Sequence, residues 1–225
     1  MSSELYMSET HLGREVIYSC LSRMFLEIPS EEIYKMLETI HPALSDMALE
    51  CNNDLIKQGV DGIGRFLAKR ASLQASELAS FDDEIVRSYT RVYCLTDSVP
   101  ISESVYTSID HLSMQDSSSK VQALYKACSF DMKHSSNEPP DHISYELMFM
   151  SYLSKGIHKH LDNGSQEHAD DLINLQRHFI KNHMLKWFDD FVKATVKFPE
   201  SLHLYAPVAY FMLGYVNEDR DFLGA

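Results

Sequence analysis

Turn-forming residues are scarce in this chain, with 8 Gly and 7 Pro among 225 residues. A many-stranded sandwich or barrel needs a turn signal about every 8 to 12 residues, so that class is excluded. Basic residues are outnumbered, 20 Lys and Arg against 33 Asp and Glu, for a formal net charge of −13. Such a chain does not track a phosphate backbone, and neither nucleic acid nor an anionic membrane is expected as a partner. A basic partner suits the surface better. The four cysteines, Cys20, Cys51, Cys94 and Cys128, form no CxxC pair, which speaks against a zinc site or a redox dithiol. Cys20 and Cys94 fall in apolar helical stretches and are expected as buried, reduced thiols, pointing to a reducing compartment. No run approaches the roughly 18 apolar residues of a membrane span. Met1 to Thr10 lacks the basic start and apolar core of an export signal, so a soluble, cytoplasmic protein without stable membrane insertion is expected.

What is present is helical periodicity. Leu12, Val16, Cys20, Met24 and Ile28 recur at helical spacing until Pro29. Ser30 followed by Glu31 and Glu32 starts a second helix, which Pro42 is expected to end, and a third runs from about Leu44 to Ile56. Gly59 to Gly64 reads as a flexible corner, and a helix opens near Asp82 and Asp83. Leu95 to Ser119 has no sustained period and is expected as a long ordered loop. Lys120 to Phe130 is helical, and Asp131 to Pro140 is the most linker-like segment. Beyond it come a helix over Ile143 to about Leu161, a long one through Leu172 to Phe191 ended by Pro199, and a last one from Tyr205 to Pro207 onward. The expectation is an all-α protein of one domain, with helical lobes 1–130 and 141–225 joined by a hinge at 131–140.

Signatures of catalysis are missing. There is no GxSxG elbow, no GxxxxGK[ST] phosphate loop and no HExxH helix. The glycines Gly59, Gly62 and Gly64 have no preceding strand and no following Lys-Ser/Thr, so they are not read as a phosphate cradle. A di-iron bundle needs two Glu-x-x-His elements plus two further Glu, and at Glu38 with His41, which have that spacing, Pro42 follows directly and is expected to break the helix. His178 and His183 lie about 140 degrees apart around a helix and are read as structural or solvated.

One segment concentrates ionisable groups: Glu138, Pro139, Pro140, Asp141, His142, Ile143, Ser144, Tyr145, Glu146. The prolines fix the backbone, Asp141 lies near a positive helix end, and His142 and Glu146 share a helix face. On spacing the group reads as a helix cap, Asp141, with an ordinary surface pair, His142 and Glu146; the alternative is a small helical enzyme or nucleotide (GTP) hydrolase with His142 as base beside Asp141 or Glu146.

The pattern Glu138-x-Pro140-Asp141-His142-x-x-x-Glu146-Leu147-x-Phe149-Met150-x-x-Leu153 resembles the signature of the TorD/DmsD family of molybdoenzyme chaperones. Tyr89, Tyr93, Pro100, Glu103, Ser104, Val105 and Tyr106 are similar to the family's aromatic segment, and Phe179-x-x-x-His183-Met184-x-x-Trp187 to its penultimate-helix pattern. The chain departs from the family at Leu95 to Ser98, where a Gly-Pro is frequent, and at Tyr106, where Trp is frequent. The resemblance implies a cytoplasmic, cofactor-free, non-enzymatic chaperone, with weak GTP binding as a family association. Its partners would be the twin-arginine signal peptide and the apo-form of a molybdopterin-dependent oxidoreductase subunit, held until cofactor insertion and so delayed in export. The hinge at 131–140 permits a domain-swapped dimer as well as a monomer. Implied client-binding residues are Tyr18, Tyr89, Tyr93, Pro100, Ser104, Val105, Tyr106, Glu138, Pro140, Asp141, His142 and Glu146. In that picture carboxylates receive the arginines beside an aromatic groove.

Overall fold

The computed structural model describes residues 3–131 and 138–225, with side chains from Met7 onward. Among the described residues there is no strand, and the chain is all-α as its periodicity requires. The helices are α1 (Ser3–Leu26), α2 (Glu31–Glu50), α3 (Asp54–Ala71), α4 (Ala75–Tyr89), α5 (Glu103–Thr107), α6 (Asp116–Ala127), α7 (Ile143–Asp162), α8 (Gln166–Asn182), α9 (Phe188–Thr195) and α10 (Tyr205–Leu223). A π-helical turn, Thr90–Cys94, follows α4, and 3-10 turns occupy Met184–Lys186 and Pro199–His203. No described helix is long and apolar enough to cross a membrane.

The residues group into two compact units. One comprises Met1–Phe25, Ser102–Trp187 and Arg220–Ala225; the other comprises Leu26–Ile101 and Phe188–Asp219. Each is assembled from stretches far apart in sequence, because a helix buries its apolar face against whichever face complements it, not against its neighbour in the chain. The units therefore do not follow the division into 1–130 and 141–225. Of the expected hinge, residues 132–137 lie outside the described residues.

In the second unit, Ser30 caps α2, but the helix continues through Pro42 to Glu50 instead of ending there. An interior proline costs about 3 kcal/mol. Beyond it, however, Leu44 and Ala48 extend the buried face begun by Ile33, Tyr34 and Leu37, and that burial offsets the loss. The next helix starts at Asn53, whose Oδ1 accepts from the N–H groups of Leu55 (3.1 Å) and Ile56 (3.2 Å). Gly59 to Gly64 is no corner; it lies inside α3, where bare Cα atoms permit close packing. A Cβ on Gly59 would sit 2.5 Å from the backbone N of Phe211, and one on Gly62 would sit 2.6 Å from Pro207 Cβ. Arg70 is buried in the same unit, its guanidinium 4.3 Å from the Tyr34 ring centroid and hydrogen-bonded to Asp82 (2.9 Å) and Glu31 (2.5 Å).

The first unit contains α1 and α5 to α8. The segment expected as one loop, Leu95 to Ser119, carries a helical turn, α5, and the start of α6. The long helix expected to reach Phe191 breaks at His183 into the 3-10 turn and α9. Cys20 is buried as expected, and burial pushes its thiol up to about 11. Cys94 is exposed: it ends the π-helical turn, where the change of helical pitch moves it off the apolar face.

Candidate functional site

The site is built around α5, a single turn of five residues that has no internal partners for its first N–H groups. Asp141 supplies them. Its backbone carbonyl accepts from Glu103 N–H (3.0 Å) and its Oδ2 from Ser104 N–H (2.7 Å), while Ser102 and His142 form an isolated antiparallel bridge. The carboxylate thus sits at the positive end of α5 and fixes its position. His142 caps α7: its Nδ1 accepts from Ser144 N–H (3.3 Å) and lies 2.6 Å from Ser144 Oγ. Burial lowers the His142 pKa to about 4, so the imidazole is neutral at pH 7.

Glu103, the first residue of α5, is one of three buried acids here, with Asp141 and Glu146. Burial raises the Glu146 carboxyl well above the usual range, and the nearby charges of Glu103 and Asp141 raise it further. The Glu146 side chain is hydrogen-bonded to that of Glu103, which favours its protonated form. Its Oε2 accepts from Trp187 Nε1 (3.1 Å). Its Oε1 is buried with no hydrogen-bond partner among the described residues. Burial raises the Tyr125 hydroxyl pKa as well, followed by the charges of Glu146, Asp141 and Glu103. Glu103 Oε2 lies 2.9 Å from His183 Nδ1. Tyr106 packs on Trp187 with ring centroids 5.3 Å apart.

The pair Glu103 and His183 opens onto a cleft of about 530 Å³. Thr107, Ser108, Ile109, Asp110, Gln115, Asp116, Lys120 and Lys186 are among its other lining residues. The loop forming part of this wall holds apolar side chains in water: Ile109 is 97 % exposed, Met114 70 % and Leu112 58 %. Its backbone takes positive φ at His111 (52°) and Met114 (60°), conformations that non-glycine residues rarely adopt.

The expected site residues fall into three groups. Asp141, His142, Glu146, Ser104 and Tyr18 are buried in the first unit, so the acids form an internal brace and not a displayed patch. A carboxylate beside a short helix finds its hydrogen-bond donors in that helix, and this draws it inward. Tyr89 and Tyr93 are buried in the second unit against Tyr205, with ring centroids 5.3 to 5.8 Å apart, and exposed Pro100 belongs to that unit too. Glu138 is exposed, and Val105, Tyr106 and Pro140 are partly exposed in the first unit. Glu138 Oε2 approaches His142 Nε2 at 3.8 Å. The cleft instead presents Glu103 and His183, which the motif patterns contain but charge spacing passes over; their pairing across 80 residues leaves no local signal. His142, neutral and engaged as a cap, is poorly placed to serve as a general base. The glycines considered for a phosphate loop lie within α3. Among the described residues no group of three or more His, Cys, Asp or Glu is arranged to hold a metal ion.

An all-helical chain with a braced one-turn helix beside a cleft has the character of a binding protein. Residues 53–193 match the family model described as nitrate reductase delta subunit. The chain is 26 % identical over 213 residues to the chaperone protein TorD of Vibrio cholerae serotype O1, El Tor Inaba strain, with 93 % of this chain and 91 % of that protein covered. It is also 26 % identical over 216 residues to the chaperone protein TorD of the Classical Ogawa strain, with the same coverage. The chain belongs to this family, the TorD/DmsD family of molybdoenzyme maturation chaperones that its motifs resemble. It is a family of chaperones and not of enzymes.

Proposed function

We propose that this protein is a cytoplasmic chaperone that binds the twin-arginine signal peptide and apo-form of a molybdopterin-dependent oxidoreductase subunit, assists cofactor insertion and delays export. The observation that carries this reading is the cleft beside α5, where Glu103, Asp110 and Asp116 lie next to a loop with exposed Ile109, Leu112 and Met114. A leader of paired guanidinium groups followed by an apolar run presents matching chemistry. The protein works without a cofactor of its own, as a monomer or a domain-swapped dimer.

Ordering a flexible leader costs about 2–5 kcal/mol, and a charge-assisted hydrogen bond contributes about 1.5–3 kcal/mol. Two such bonds are largely cancelled, so apolar contacts supply most of an affinity on the order of micromolar, about −8 kcal/mol. Trp187 is the only tryptophan of the chain and packs on Tyr106 near the cleft, so its fluorescence reports occupancy. Titration with the synthetic leader peptide of a molybdoenzyme precursor is expected to shift Trp187 emission with saturation in the micromolar range. Capture of the precursor from anaerobically grown cells would identify the client. Absence of binding to several such leaders, in both fluorescence and calorimetry, overturns the reading.

A further inference from the structure

We infer that Glu103 is the group in the cleft that receives a cationic side chain of the client, and that His183 holds that place in the free protein. The inference rests on the cleft being the client-binding site, and it names the contact made there. Glu103 and His183 both line the cleft, yet their side chains are only 4 % and 6 % exposed, each covering the other. A carboxylate in the wall of a cleft whose exposed side is covered by a hydrogen-bonded imidazole is a receptor already filled from inside.

The two partners differ in freedom. Glu103 cannot recede. Its backbone N–H is tied to Asp141 and its carboxylate is backed by Glu146, which Trp187 holds from the other side. Of the two neighbouring carboxyls, Glu146 is the inner one, its pKa raised by burial and then by Glu103, and Glu103 is the one that lines the cleft. His183 sits where α8 gives way to the 3-10 turn, with φ −123° and ψ −80°, outside helical geometry. Its ring stacks on Phe179 at 5.0 Å, and Glu103 is its hydrogen-bond partner at 2.9 Å. A side-chain rotation about χ1 takes the imidazole off Glu103 without unwinding α8.

A guanidinium is the cation suited to this exchange. It is always charged, more weakly hydrated than an ammonium, and offers a planar fork of donors where the imidazole offers one N–H. General attraction does not suffice, because Lys120 and Lys186 line the cleft alongside Asp110, Asp116 and Glu103. Discrimination falls to the buried carboxylate, where a desolvated contact counts for more than one at the rim.

The test is a double-substitution cycle read by calorimetry. A synthetic peptide with two adjacent arginines followed by an apolar segment is compared with the same peptide carrying citrulline, the neutral isostere, on wild-type protein and on Glu103→Gln. Either change alone is expected to weaken binding about tenfold to a hundredfold, and both together no more than either one. In wild-type protein labelled with 15N-histidine, the His183 ring resonances are expected to shift on adding the arginine peptide and to stay in place with the citrulline peptide. This second measurement stands even where Glu103→Gln folds poorly. No binding of the arginine peptide to wild-type protein overturns the client-binding reading itself. Binding with additive losses, or with no effect of Glu103→Gln, overturns Glu103 as receptor, and an unmoved His183 overturns the displacement.

Discussion

The backbone N–H of Ser104 donates to Asp141 Oδ2 at 2.7 Å, joining two motif segments 37 residues apart. Asp141 is fully buried and holds α5, which sets where Glu103 and Thr107 stand in the cleft wall. On the proposed function Asp141 is therefore a positioning residue, and Glu103 the acid presented to a ligand.

Asp141→Ala leaves the buried Ser104 N–H without its acceptor. The expected loss is about 1–3 kcal/mol, or roughly 2–4 °C of melting temperature per kcal/mol at this chain length. Asp141→Asn keeps an oxygen acceptor and should recover more than half of the loss. Thermal unfolding followed by circular dichroism checks both, and an unchanged melting temperature in Asp141→Ala contradicts the brace.

Glu146 imposes a stability that declines toward alkaline pH. Its folded-state pKa is raised, so the native state binds a proton that the unfolded chain has released. The stabilisation is complete below the ordinary carboxyl pKa of about 4.3 and is lost as pH rises toward the folded value. Glu146→Gln keeps an acceptor for Trp187 and a donor for Glu103. Urea unfolding between pH 5 and 8 should show a smaller decline in the variant than in the wild type. Equal slopes exclude a proton on Glu146.

His142 acts in the opposite direction. With its pKa lowered to about 4, the neutral form is required by the fold, so its contribution is complete above about pH 6.5 and is lost as pH falls toward 4. His142→Asn retains a side-chain acceptor at the cap of α7 and should flatten part of this acid limb. His11, which burial and then Arg14 lower to about 3, contributes to the same limb. An acid limb identical to wild type in His142→Asn tells against a buried neutral cap.

Two glycines separate crowding from helix propensity. Gly59→Ala places a Cβ against the backbone of Phe211 and is expected to destabilise by about 1–3 kcal/mol. Gly13 in α1 has nothing within 4 Å of that position, and Gly13→Ala should stabilise by up to about 1 kcal/mol. Chemical denaturation of the two variants beside wild type reads both signs, and a stabilising Gly59→Ala rules out the close approach in α3.

Much of the helical plan was legible because the apolar residues that make it are local. The spacing of Ile143, Leu147 and Met150 locates α7, and Ser30 marks the start of α2 where the structure has it. Pro42 and Gly59 misled for a common reason: each carries a local penalty that burial at Leu44 or contact with Phe211 outweighs. The three motif segments are in the sequence, but their side chains' directions are not. Asp141 and Glu146 read as surface charges because nothing within their own helical turn shows that Ser104 and Trp187 will meet them.

The order of residues along the chain determined the helices, the acidic surface and the family, since each depends on neighbours a few positions apart or on composition alone. Tertiary structure decided which acids are interior and which one faces the cleft. Burial and contacts between distant segments raise the Glu146 pKa and pair Glu103 with His183, and those exist only once α5, α7 and α8 have packed.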